Sequence, residues 1–180
     1  MSVVDLVVLG LLLDEPMNAY RLARIIDERQ LGRLVKISKP VVYKSCKRLG
    51  KGGYLDGESR RETEMPEKVV YTVNGSGREH FRQLMLHFSS RITPVHFEFN
   101  SFVWNLRHLE PAAATEMLQA LQKELQTWLH WLGVHEREDV QGEDFGVRMV
   151  VKHYRMMLTA QVNWIHQVIA EYRQQKGETK

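Results

Sequence analysis

One cysteine, Cys46, and five prolines are all that 180 residues contain of those two types. A single cysteine excludes an internal disulfide and fits a reducing compartment. Long hydrophobic runs are also missing. The longest apolar stretch, VVDLVVLGLLL at residues 3–13, contains Asp5 and is too short to span a bilayer. It has neither a cationic leader nor a small-residue cleavage site, which excludes a signal peptide and leaves a buried first helix of a cytoplasmic protein with no membrane contact. Eight histidines form no i, i+4 pair, and neither Cys-x-x-Cys nor His-Glu-x-x-His occurs, so no metal site is expected. Gly75 and Gly77 are not followed by a Lys-Thr pair, and no Ser-His-Asp constellation can be assembled. No enzyme and no cofactor are expected.

What is present is an ordinary globular composition, 43% apolar and 26% charged, in a chain long enough for one medium domain or two small ones. The net charge is only +3, but it is unevenly spread. From Arg21 to Lys51 ten Lys or Arg stand against Asp27 and Glu28, a local charge of +8. From Arg78 onward twelve basic residues balance twelve acidic ones. A solvated helix face could carry such a stretch, but so dense a local charge is also the footprint of phosphate binding.

The order of elements bears on that choice. Residues 2–13 read as a helix, broken at Asp14-Glu15-Pro16. Asn18 is placed to cap a second helix, with Tyr20, Leu22, Ile25 and Ile26 as its inward stripe. Gly32 ends it, and a short apolar stretch at Leu34-Val35 leads to Ile37. Ser38 then caps a third helix with Pro40 in its first turn. Val42, Cys46 and Leu49 recur at i, i+4, i+7 on one face, and Gly52-Gly53 terminates the helix. Tyr54-Leu55 opens a strand and residues 69–73 form another, joined by a charged segment too long for a tight turn. Helix, helix, short strand, helix and hairpin make a winged helix-turn-helix, expected over residues 1–90.

In that fold the third helix enters the major groove, its apolar side packed inward. The residues left facing outward are Lys39, Pro40, Tyr43, Lys44 and Lys47, with Arg48 on the same basic side. Lysines neutralise phosphates and can reach guanine edges. Arg60, Arg61 and Lys68 would lie on the wing, diluted by Glu58, Glu62, Glu64 and Glu67. Double-stranded DNA is the expected partner. An adaptor that docks protein on the same fold stays open as the alternative.

Residues 91–180 read as helical, interrupted at Thr93-Pro94, Glu110-Pro111 and a polar linker at 135–144. The last helix carries Val147, Val151, Tyr154, Leu158, Gln161, Ile165, Val168 and Tyr172 at alternating spacings of four and three, a period suited to coiled-coil-like packing. Val150, Met157 and Trp164 flank this stripe, making the apolar surface too wide for one partner helix. Burial by its own chain and by a second subunit, as a homodimer, is the expectation. All four tryptophans fall in this half. Phe99, Trp104, Trp128 and Trp131 are candidate walls of a cavity for a flat aromatic effector, with ordinary core packing as the competing reading.

Residues 6 to about 85 resemble the PadR-type transcriptional regulators. The resemblance runs through LVVLGLLLDEPMNAYRLARII, ISKPVVYKSCKRLGKGGYLDGE and EKVVYTVNGSGREHF. Tyr20 falls on the family's turn tyrosine, and Ser38 and Tyr43 on recognition-helix positions. Leu49, Gly53 and Leu55 match that helix's exit, and Tyr71 and Gly77 match the wing and the helix after it. The chain departs at Asn18-Ala19, where His-Gly is usual, at Cys46, where leucine is usual, and at Val41-Val42, where small residues are common. The resemblance implies a mainly α fold with a small β wing, followed by a helical dimerisation domain. It also implies a homodimeric repressor responding to a small ligand.

Overall fold

The computed structural model describes residues 1–29, 32, 35, 37–60, 68–138, 145–175 and 177. It divides into two compact units, Met1–Pro94 and Val95–Lys180.

The first unit opens with helix α1 (Val3–Asp14), capped by Ser2, whose hydroxyl accepts from the Asp5 amide. This helix is apolar nearly all round, and it is covered on more than one side: Val4, Val8, Leu9 and Leu12 are buried and Leu6, Val7, Leu11 and Leu13 are partly so. Glu15 ends it in extended backbone just before Pro16. Strand β1 (Met17–Asn18) follows. The Asn18 side chain then accepts from the Arg21 amide at 2.8 Å and starts helix α2 (Ala19–Glu28). The inward stripe of α2 is Leu22, Ala23 and Ile26. Tyr20 is not part of it; at 65% exposure it faces solvent, because the strand that precedes α2 fixes where its first turn points.

Helix α3 (Lys39–Lys51) begins after Ser38, which caps through backbone geometry with no side-chain hydrogen bond. It closes through two bonds, Gly53 N–H to Gly50 C=O and Tyr54 N–H to Leu49 C=O, the Schellman arrangement. That arrangement requires a left-handed residue, and Gly53 supplies it at φ +73°. Strands β2 (Leu55–Arg60) and β3 (Lys68–Val73) form the antiparallel hairpin, with Leu55 opposite Val73 and Arg60 opposite Lys68. β1 adds to the other edge of β3, Met17 opposite Tyr71, giving the order β1-β3-β2. The third strand of the wing is therefore Met17–Asn18. Of the Leu34-Val35 stretch expected to supply it, Val35 is a bend packed on the core and Leu34 lies outside the described residues.

Helix α4 (Gly75–Ser89) is capped by Asn74, whose carboxamide oxygen accepts from the Gly77 amide at 3.0 Å while its NH2 donates to Gly53 C=O and Asp56 Oδ1. One side chain thus ties together the exit of α3, the start of β2 and the start of α4. Gly77 is required by contact: a Cβ there would lie 2.1 Å from the Tyr54 carbonyl oxygen.

In the second unit, α5 (Phe99–Trp104) and a 3-10 turn (Leu106–His108) precede two long helices, α6 (Pro111–Glu138) and α7 (Phe145–Gln175). These run antiparallel: Gln126 meets His166, and Glu136 pairs with Arg155 at 3.2 Å. Their core contains Ala114, Leu118 and Leu125 from α6 and Val162, Ile165, Ile169 and Tyr172 from α7. No helix among the described residues is long and apolar enough to cross a membrane.

Candidate nucleic-acid interface

Helix α3 has two sides of opposite character. Val42, Ser45, Cys46 and Leu49 are buried, while Lys39, Pro40, Val41, Tyr43, Lys44, Lys47, Arg48 and Lys51 are exposed. Val42, Cys46 and Leu49 join residues of α1 and α2 in one core, so the inward side is fixed and the basic side must point out. Among the described residues Lys44 and Lys47 form no ion pair, and each leaves a full charge in solvent.

The remaining basic candidates differ from these two. Lys39 lies 2.9 Å from Asp27, and the hydrogen bond to that carboxylate raises its pKa. Arg48 turns inward despite its half-exposed side chain: its Nη2 meets Asp5 Oδ1 at 2.5 Å and its Nε meets Oδ2 at 3.2 Å. Its charge is answered within the fold rather than offered on the surface. Tyr20 and Ser38 are exposed on the same unit. On the wing, the backbone sets Arg60 opposite Lys68 at the last ladder position, and Arg61 lies outside the described residues.

Asp5, Ser45 and Asp27 were not among the sequence candidates. The signal for Asp5 was available: a carboxylate inside an apolar helix needs a partner, because an uncompensated buried charge is costly. Which partner it finds, forty residues away, could not be read.

Burial suppresses the chemistry of Cys46. Its side chain is covered, and desolvation pushes the thiol pKa up to about 11, so it is protonated at neutral pH. Among the described residues no group of three His, Cys, Asp or Glu is placed to hold a metal.

The second unit holds an apolar cavity of about 330 Å³ lined by Phe97, Phe99, Asn100, Met157, Ala160, Gln161 and Trp164. Phe99 stacks on Phe97 and tilts against Trp164, with ring centroids 5.2 and 5.4 Å apart. Of the four aromatics proposed from sequence as effector walls, only Phe99 lines it. Trp104 is 78% exposed; Trp128 meets Trp131 edge-on and donates to Glu124, and Trp131 stacks on His135. The four are not brought together, because i, i+3 neighbours on α6 share a face that does not line this cavity.

The stripe on α7 expected to dimerise divides in the same way. Val151, Ile165 and Tyr172 are buried within this chain, and Val147, Tyr154, Leu158, Gln161 and Val168 are partly covered. Ile165, expected beside a subunit seam, has no exposed surface, because α6 occupies that face of α7. The apolar residues left accessible are Phe145, Met149, Val150 and Met156.

Against known proteins, residues 8–83 match the model of the PadR-like family of transcriptional regulators. A comparison of the sequence with curated proteins finds no match. Among solved structures the chain is similar to Bacillus subtilis PadR in complex with operator DNA, at 21% identity and a TM-score of 0.79, covering 95% of this chain and 99% of that one. The same protein in complex with p-coumaric acid gives 20% identity and 0.77, covering 95% and 99%. The Vibrio cholerae virulence activator AphA gives 17% identity and 0.70, covering 96% and 99%. Residues 8–83 of this chain thus resemble the PadR-like family of transcriptional regulators, and its fold is similar to that of solved PadR structures over nearly their whole length.

Proposed function

We propose that this chain binds duplex operator DNA as a homodimer and represses transcription, with α3 in the major groove and the β2-β3 hairpin against the neighbouring backbone. The observation that carries this reading is the sidedness of α3: Lys44 and Lys47 stand outward with Tyr43, opposite a fully buried Val42, Cys46 and Leu49. A helix-turn-helix uses its third helix in that way. The structural likeness to a regulator bound to operator DNA supports it. The test is the salt dependence of binding to duplex DNA, since phosphate contacts release counterions and a protein-docking surface need not.

Dimerisation gives one small unit two half-sites about a helical turn apart. It also covers the apolar residues that α7 leaves outside its own core. A small planar aromatic effector is proposed for the cavity between Phe99, Met157 and Trp164, whose size and lining suit a ring inserted between rings. A ligand there regulates only if it binds more tightly to one spacing of the two α3 helices than to the other. A neighbouring fold described as an activator makes transcription in a reconstituted system the measurement of direction.

A further inference from the structure

Asp5 is the one charged residue in the body of α1, and its side chain is only 9% exposed. Its two oxygens are both used by α3. Oδ1 accepts from the Ser45 hydroxyl and from Arg48 Nη2, each at 2.5 Å, and Oδ2 accepts from Arg48 Nε at 3.2 Å. Ser45 is fully buried, and Ser45 and Arg48 are three residues apart, neighbours on one face of the helix. The platform beneath is firm, since Val4, Val8, Leu9 and Leu12 of α1 are all buried in the core.

The pair is only half-buried, since Asp5 is covered and Arg48 is half in solvent. It is weak evidence for stability, because desolvating the carboxylate and screening by water offset much of the attraction. The apolar part of the same interface, Val42, Cys46 and Leu49, already supplies the favourable burial. Apolar contact is non-directional, however, and by itself tolerates small rotations of α3 about its axis. Hydrogen bonds to one carboxylate from two residues nearly a turn apart do not, because donor angle and fork geometry are both constrained. The residues that face outward, Tyr43, Lys44 and Lys47, lie between and beside these two anchor points in sequence, so their direction is set by the same rotation.

We propose that Asp5 is a positioning residue for DNA recognition: through Ser45 and Arg48 it fixes the rotation of α3, and so decides which base edges the outward side chains reach. Arg48 then acts as an anchor of the helix rather than as a phosphate ligand. This rests on the DNA-binding reading above and adds to it a residue that never touches DNA.

The experiment compares two duplexes, one selected by the unmodified chain from a random pool and one of scrambled sequence. Asp5→Asn keeps the shape and removes the charge; Ser45→Ala removes a single hydrogen bond and is the safer variant for folding. Circular dichroism and a thermal melt establish that each is folded at the temperature of the assay. For Asp5→Asn the expected result is a fall of about 10- to 100-fold in affinity for the selected duplex, as for one or two misread base pairs. Affinity for the scrambled duplex should not fall, since Lys44 and Lys47 are untouched and the loss of the carboxylate only adds positive charge. Ser45→Ala should lose roughly 3- to 10-fold on the selected duplex alone. A structural role would instead lower both affinities together, in step with the folded fraction. That outcome overturns the proposal, and so does unchanged discrimination in a folded variant. If Asp5→Asn does not fold, Ser45→Ala decides in either direction. An unmodified chain that binds neither duplex overturns the DNA reading itself, and is seen before any variant is compared.

Discussion

The Lys39 ammonium lies 2.9 Å from the Asp27 carboxylate, joining the last turn of α2 to the first residue of α3. Both side chains are largely in solvent, and the contact raises the Lys39 pKa, so the lysine is charged at any physiological pH. On the proposed DNA-binding reading, Asp27 competes with a DNA phosphate for this lysine. Asp27→Asn removes a competitor and a repulsive charge together. Affinity for duplex DNA at 50 mM salt is expected to rise by roughly two- to fivefold, with the gain fading at higher salt as screening grows. Lower affinity in the folded variant would assign Asp27 to holding Lys39 in place for DNA.

Lys44 and Lys47 have no acidic partner among the described residues and carry the main electrostatic prediction. A dimer making about six to ten phosphate contacts should lose about 10³ to 10⁵ in affinity between 50 and 200 mM salt. Replacing both lysines by alanine removes up to four such contacts per dimer, so the slope of log K against log salt should become shallower by about 0.9 for each. The melting temperature should barely move, because neither residue touches the core. Binding that ignores salt, or that survives the double substitution unchanged, would end the DNA assignment.

Much of the winged helix was legible because its signals are local. Asn18 and Ser38 sit at helix starts, Gly53 has the left-handed backbone a helix exit needs, and Val42, Cys46 and Leu49 repeat at helical spacing. Strand β1 was missed because two residues, Met17 and Asn18, are too few to show any alternation, and their pairing with Tyr71 and Val70 is a tertiary event. Tyr20 reads as inward by period and is outward in fact. Arg48 reads as one more surface cation, and only the approach of α1 across 43 residues turns it towards Asp5. On α7 the periodicity marks apolar positions correctly, but it cannot say which of two apolar faces takes α6. That depends on the neighbour and not on the helix.

Cys46 offers a test by chemistry. With its pKa pushed from 9.0 to about 11 by burial, the thiol is neutral and covered at pH 8. Reaction with a thiol reagent should be slow in the native protein and become fast in denaturant. The sign of the pH effect follows from the same shift. The unfolded chain ionises near 9 while the folded one resists until about 11, so this residue lowers stability as pH rises through that window and is without effect below it. Fast labelling of the native protein at pH 8 would show that α3 opens.

The cavity gives a prediction that separates two sets of aromatic residues. Planar aromatic compounds titrated into the protein should change tryptophan fluorescence and release DNA at matching concentrations. Trp164→Ala should abolish the effect, because that ring forms a wall against Phe99, whereas Trp104→Phe and Trp128→Phe should leave it intact. The reverse pattern would return the site to the α6 tryptophans. No response in any of these proteins would make the Phe99-Trp164 contact packing alone.

The last prediction concerns assembly and follows from the two faces of α7. Ile165 is fully buried beneath α6, so Ile165→Asp places an unpaired charge in the core, at a cost of several kcal/mol, and should unfold the second unit rather than yield a clean monomer. Phe145, Met149 and Met156 are 70%, 39% and 63% exposed, and their spacings of four and seven place them on one helix face. Apolar side chains in a row on a long helix are not left in water, and a second copy of the chain is the occupant proposed for them. Met149→Asp with Met156→Asp should then give a folded monomer by light scattering, with the melting temperature of α6 and α7 little changed. DNA affinity should fall with it, since each half-site would be read alone. If the double variant remains a dimer while the unmodified chain is one, the seam lies on the flanking face of Val150, Met157 and Trp164, and Val150→Asp becomes the deciding substitution. An unmodified chain that is monomeric at micromolar concentration would remove the dimer altogether, and with it the account of how one small unit could select a palindromic site.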